Sequence, residues 1–304
     1  MKKTFVWVLA MAVVCSIVAV AGDNSDNTGN VPKLIRLSKF EVKIGKMDEF
    51  AGISRQVRQA LNAGNADYHF VAATPIAGAG GAVDFLAFYD DYAQIEKSMK
   101  SFNETTTALM RTVEFSHGAS DSVQGTHGII AKFRPDLSYN PQKLDLANAT
   151  SWELSVVRLK PGYSRDFEDL EKQSIELHQK ANIDEHWVVY QVEYGAQTPS
   201  FIFLTALKSL ADLDMDRKAA HEKVFTEAVR RQFSRVFKEG GDFQQSTILT
   251  VRPDLSRPPQ TLVAANPSFW GEKEESRAMA AKTSKNKKKP ASMQPAAMKD
   301  SDKH

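Results

Sequence analysis

Two histidines occupy like surroundings. His69 and His186 each stand two residues after an aspartate, Asp67 or Asp184, and each is followed by an aromatic, Phe70 or Trp187. An imidazole beside a carboxylate can hold a ligand or move a proton near neutral pH. A histidine at a helix-to-strand junction can also simply bond to backbone, and repetition preserves packing features as readily as chemistry. No second titratable group recurs beside the pair, which favours packing. Around His186 lie Trp152, Trp187, Tyr190 and Tyr194. Strand alternation places Tyr190 and Tyr194 on the face of His186, with Trp187 on the other face. Such rings either fill a layer between two sheets or line a pocket within it. The candidate ligand-binding set is His69, His186, Tyr190, Tyr194 and Trp152, and no catalytic residue can be assigned.

Other chemistries find weaker footing. His178 and His186 lie on different elements, and His221-Glu222 lacks the HExxH spacing that puts two histidines on one helix face. His117 and His127 flank a Gly-Ala-Ser-rich stretch that reads as a solvated loop. No metal is therefore expected. Gly78 to Gly81 precede a strand, not the helix terminus that a phosphate loop requires, and no serine nucleophile elbow is present. The single cysteine, Cys15, excludes a disulfide framework, a thiolate metal site and a cysteine nucleophile once the leader around it is removed.

That leader is legible. Lys2 and Lys3 precede an uncharged apolar run from Phe5 to Val20, which closes on Ala19-Val20-Ala21. This is the pattern of a secretory signal peptide over residues 1–21, and the run is short of the roughly 20 residues a membrane span needs. A periplasmic or secreted protein without a stable membrane span is expected. Residues 22–31 read as a flexible segment and 258–271 as an extended one. Residues 272–304 carry nine Lys or Arg among Ala, Ser, Pro and Met, a composition that reads as a disordered basic tail. Over the whole chain 39 basic residues face 37 acidic ones, so no nucleic-acid partner is expected.

The elements that must position these residues come from a repeat. Phe133-Arg134-Pro135-Asp136-Leu137-Ser138 is answered by Val251-Arg252-Pro253-Asp254-Leu255-Ser256. Further pairs fall at a nearly constant spacing: Gly45 with Gly162, Phe50 with Phe167, Asn65 with Asn182, and Gly78 with Gly195. The period is too long for a solenoid, so each copy should be a small domain, over residues 32–139 and 149–257, joined by a linker at 140–148. Apolar spacing predicts strand, helix, strand, strand, helix, strand in each copy, with the second helix of copy two over about Asp214 to Lys238. That order is the α+β, ferredoxin-like βαββαβ arrangement, a four-stranded sheet with both helices on one face. Its bare face needs cover. Two copies packed sheet to sheet would supply it within one chain, as an internal pseudo-dimer and a monomer in solution.

The strand entering "VVRLKPGYSRDFEDL", the "ANIDEHWVVYQVEYG" strand after the first helix, and the "KSLADLD" lead into the second helix resemble the dimeric α+β barrel superfamily, including NIPSNAP-like and antibiotic-biosynthesis monooxygenase-like proteins. The resemblance covers roughly Pro32 to Arg257 and looks most like exported tandem members. It implies a fold more than a chemistry. Two readings follow: a noncatalytic protein that binds a small apolar or aromatic ligand between its sheets without a cofactor, or a monooxygenase-type oxidoreductase, cofactor-independent or haem-using, with His69 or His186 as proton shuttle or axial ligand. An envelope structural or interaction protein, using the basic tail, is a third.

Overall fold

In a computed structural model, residues 31–77, 81–214, 221–222 and 224–271 are described. Four strands come from the first half of the chain: β1 (Leu34–Val42), β2 (Val71–Ala77), β3 (Ala82–Tyr89) and β4 (Val123–Phe133). Four come from the second: β5 (Ser151–Leu159), β6 (Val188–Tyr194), β7 (Ser200–Leu207) and β8 (Gly241–Val251). The helices are α1 (Met47–Ala63), α2 (Tyr92–Met110), α3 (Val113–Ser122), α4 (Ser164–Lys180), α5 (Glu227–Gly240), α6 (Gln260–Ala265) and α7 (Pro267–Trp270).

The eight strands form one closed antiparallel barrel in the order β1-β3-β2-β8-β5-β7-β6-β4. The two four-stranded sets were expected to pack face to face. Their inner faces do share one core, and the sets also join edge to edge, through β2 with β8 (Ala73 opposite Val251, Thr74 opposite Thr250) and β4 with β6 (Lys132 opposite Gln191, Phe133 opposite Tyr190). An edge strand carries unpaired backbone donors and acceptors, and closure satisfies them where face packing would not.

The Arg-Pro-Asp-Leu-Ser segments tie those seams. After β4, Ser138 Oγ donates to Arg134 O and accepts from Val189 N on β6, while Arg134 N donates to Val189 O. After β8, Ser256 Oγ donates to Arg252 O and accepts from Ala72 N on β2, while Arg252 N donates to Ala72 O. In both places an Arg-x-Asp fork, Arg134 with Asp136 and Arg252 with Asp254, stiffens the turn, and a fully buried leucine, Leu137 or Leu255, anchors it. Each motif is thus a clasp from one half onto the other.

Alternate residues of every strand face inward. Ile35, Val71, Leu86, Ala131, Trp152, Val188, Tyr190, Ile202, Leu204 and Leu249 make the barrel core. The outward set packs under the helices: α4 and α5 cover Val157, Phe201 and Phe203 with Phe167, Leu170, Val229 and Phe233, and α1 and α2 cover Ala87 and Tyr89 with Leu61 and Ile95. Apolar residues spaced three and four apart on α4, Phe167, Leu170, Ser174 and Leu177, form its buried stripe. The stretch between His117 and His127, expected to be a loop, is helix α3 running directly into β4. Of the predicted second helix of copy two, α5 forms the part from Glu227, and residues 221, 222 and 224 are helical, while 215–220 and 223 lie outside the described residues.

The barrel's ends differ. Residues 258–271, expected to be extended, contain α6 and α7, and Leu262, Val263, Phe269 and Trp270 pack onto the core beside Leu144 and Leu146 of the 140–148 segment. The Trp270 indole donates to Ala147 O. This end is covered. At the other end, β4 and β8 run on past the seams, where residues 123–129 and 241–247 keep a sheet neighbour on one side only among the described residues.

Candidate functional site

Inward-facing residues along each strand show where the barrel opens. On β4 they pass from buried Ala131 to half-buried Ile129 and exposed His127; on β8 from buried Leu249 to half-buried Thr247 and exposed Gln245 and Phe243. On β1, buried Ile35 gives way to half-buried Leu37, Lys39 and Glu41. The inward face thus grades from an apolar, buried interior to a polar, exposed rim at this end.

One residue in it breaks the gradient. Asp84, inward-facing on β3 between Ala82 and Leu86, is only 7% exposed. Its neighbours across the strands are Lys39 on one side and Ala73 on the other, and Lys39 is in turn opposite His127. Among the described residues no hydrogen bond reaches the Asp84 carboxyl. Burial pushes its pKa up to about 6, with Lys39 pulling the other way. On the rim, His127 Nε2 lies 3.6 Å from Glu41 Oε1, and Arg158, paired with Asp242, stacks 5.3 Å over the Phe243 ring. At the depth of Lys39 and Asp84 the second half is apolar: the matching positions, by strand order and length, are Val156 for Lys39 and Ile202 for Asp84.

The five residues singled out from sequence are not brought together. Trp152 and Tyr190 are inaccessible to water at the barrel centre, so no water-sized space borders them. Tyr190 donates to Pro32 O, and burial raises its phenol pKa. The Trp152 indole nitrogen has no partner. Tyr194 was expected on the His186 face. An irregularity in the β4–β6 seam sets it opposite outward-facing Ile130, so it points away from the barrel and meets Tyr92 of α2 edge-on. His69 and His186 both lie at the covered end, where His69 Nδ1 approaches Pro258 O at 3.3 Å and His186 Nε2 approaches Ala206 O at 3.2 Å. Burial, with Arg257 nearby, lowers the His69 pKa. Trp152 and Tyr190, inaccessible to water, fill the barrel centre, so the space between the two histidines does not fit a haem macrocycle.

A second constellation, unforeseen from spacing, lies outside the barrel between α4 and its sheet. His178 on the last turn of α4, Glu185 in the link to β6 and His221 before α5 place one donor atom each within 4.8 Å of one another. His178 Nε2 is 3.6 Å from Glu185 Oε2, and His221 Nε2 is 3.2 Å from Glu185 Oε1. His178 is fully buried, and Tyr139, Trp187 and Phe225 wall the group.

Asp84 had one visible signal, a lone acid in the apolar strand Ala82-Val83-Asp84-Phe85-Leu86-Ala87-Phe88-Tyr89. His178 and His221 had none, since their meeting depends on how two helices pack.

No family model matches the chain, and no curated protein matches it. Among solved structures it is similar to a candidate monooxygenase from Fusobacterium nucleatum, at 13% identity and a TM-score of 0.45, covering 73% of this chain and 93% of that one. It is also similar to an anthrone oxidase-like protein, at 11% and 0.47, covering 73% and 92%. A third is chlorite dismutase from Candidatus Nitrospira defluvii in complex with imidazole, at 10% and 0.44, covering 80% and 99%. At these identities and scores the likenesses transfer no activity to this chain.

Proposed function

We propose that this is an exported ligand-binding protein, made by tandem duplication of a ferredoxin-like βαββαβ unit related to the NIPSNAP-like and monooxygenase-like α+β barrels. Its ligand is a small, partly apolar molecule bearing a hydroxyl or amino group, bound at the open end of the barrel. Asp84 carries this reading. A carboxyl this deep, with no hydrogen-bond donor among the described residues, is a cost to the fold, and sites that tolerate such groups in clefts are commonly functional. A ligand donor would relieve the carboxyl, while Leu37, Ile129 and Val156 would take an apolar body of limited depth above the filled barrel centre.

Duplication is supported by strand lengths of 9, 7, 8 and 11 residues in both halves, in the same order. It is supported again by left-handed backbone at Gly45 and Gly162 and at Asn65 and Asn182. Export rests on the leader pattern, which lies outside the described residues, as does the basic tail. No helix among the described residues is long and apolar enough to cross a membrane.

A second reading has one specific support. A carboxyl titrating near 6 at this end of the barrel is suited to accept a proton from a bound phenol or activated C–H group, the step a cofactor-independent oxidoreductase would need first. Binding comes first in either case. In a fluorescence titration of the signal-free chain with 2-naphthol, saturable one-site binding is expected, weakened about tenfold or more by Asp84→Ala and by the bulkier Leu37→Trp. Equal binding by both folded variants would contradict the placement.

A further inference from the structure

We infer that His178, Glu185 and His221 form a zinc-class divalent metal site that fastens three separate segments of the second half: the end of α4, the link to β6 and the helical residues ahead of α5. The donor set is that of imidazole and carboxylate sites for such ions. The spacing agrees as well. In a tetrahedron with metal–ligand bonds of about 2.0–2.1 Å, ligand atoms sit about 3.4 Å apart; the histidine nitrogens lie 3.6 and 3.2 Å from the two Glu185 oxygens, and one donor atom from each residue lies within 4.8 Å of the other two, so a small closure of the group would seat an ion.

The protonation pattern points the same way. His178 Nδ1 lies 2.9 Å from Ser174 O, a carbonyl that can only accept, so Nδ1 carries the hydrogen and Nε2 turns its lone pair toward the cluster. This carbonyl-to-imidazole contact is the usual outer support of a ligating histidine. His178 Nε2 and both nitrogens of His221 are buried without a hydrogen-bond partner, which a bound cation would remedy at the nitrogens facing it. The polar ends of the surrounding rings are engaged elsewhere: Tyr139 Oη donates to Ile183 O, and the Trp187 indole donates to Leu137 O.

The other half of the chain provides a control for the fold. At the corresponding point on α1, matched to α4 in length and position, stands Leu61, fully buried, and Tyr68 replaces Glu185 ahead of β2. Tyr68 packs against Phe102 of α2 at 4.6 Å between ring centres. The architecture is therefore served by apolar filling here, and nothing in it demands two histidines and a carboxylate. With Glu185 and His221 both nearly buried, the site is closed in the manner of structural metal centres, which hold segments together.

The test uses the full signal-free chain stripped with a chelator. Calorimetric titration with Zn²⁺ is expected to show one equivalent bound. Co²⁺ is expected to give the intense visible absorption of a tetrahedral site, and excess Zn²⁺ to raise Tm. His178→Leu, which copies Leu61, and Glu185→Gln should each lower Zn²⁺ affinity about a hundredfold or more and abolish the Tm shift. His178→Leu is also expected to fold, as judged by circular dichroism. Absence of Zn²⁺ and Co²⁺ binding at micromolar concentration by the folded wild type would overturn the assignment, and so would binding that both variants retain. Neither outcome touches 2-naphthol binding at the open end of the barrel.

Discussion

Replacing Asp84 with asparagine should make the protein more stable, and only at neutral and alkaline pH. The folded-state pKa of about 6 stands against an ordinary 3.8, a difference of roughly two units, or about 3 kcal/mol at 1.36 kcal/mol per unit. The sign follows from proton binding. The folded chain keeps the proton on Asp84 up to higher pH than the unfolded chain does, so the contribution of this group is complete below about pH 4. It is lost progressively as pH rises, and is gone once the folded carboxyl ionises above about pH 6. Asparagine matches the neutral acid in shape and never charges. Urea unfolding at pH 4 and pH 8, with unchanged slope, should show Asp84→Asn equal to wild type at the lower pH and up to about 3 kcal/mol more stable at the higher. An advantage of equal size at both pH values, or a loss of stability at pH 8, would refute the reasoning. Together with weaker 2-naphthol binding, the gain would mark Asp84 as a residue kept at the expense of stability.

Two further substitutions probe the helical layer and the seams. Glu171, wholly buried on α4, has its pKa pushed up to about 8 by burial alone. Its contribution is present below about pH 4.5 and lost as pH rises through 8, so Glu171→Gln should match wild type at pH 4 and exceed it by at least about 2 kcal/mol near pH 9 in the same urea experiment. Ser256→Ala removes the acceptor for the buried Ala72 N–H, and Ser138→Ala does the same to Val189 N–H. Each should cost about 1–3 kcal/mol in urea unfolding at pH 7, with amide exchange faster at the affected seam.

What could be read from sequence was what leaves a mark on residue type. Gly45 with Gly162 and Asn65 with Asn182 stood out because left-handed backbone restricts the choice of residue, and all four have positive φ. The two Arg-Pro-Asp-Leu-Ser segments stood out because a fork, a buried leucine and a bridging serine must keep their spacing to clasp a seam. Barrel closure was legible through the resemblance to the dimeric α+β barrel superfamily and not through the residue pattern. Strand edges pair through backbone groups that every residue carries, so edge joining and face packing have the same side-chain pattern. Tyr194 went to the wrong face because one seam irregularity inverts the alternation beyond it. Asp84 was hidden in a strand buried on both faces, where an isolated polar residue has no periodic signature. Large rings were read either as filling the layer between the sheets or as lining a pocket in it, and Trp152 and Tyr190 are buried as filling.

The central claim is that Asp84 sits deep in the open end of the barrel as a partnerless carboxyl that a ligand can engage. Carboxyl ¹³C chemical shifts of Asp84, followed by NMR from pH 3 to 9 with and without saturating 2-naphthol, test it most directly. The account predicts a midpoint near pH 6 for the free protein and a clear displacement of that midpoint by the bound alcohol. A midpoint close to the ordinary aspartate value, or one that 2-naphthol leaves unmoved, would contradict it.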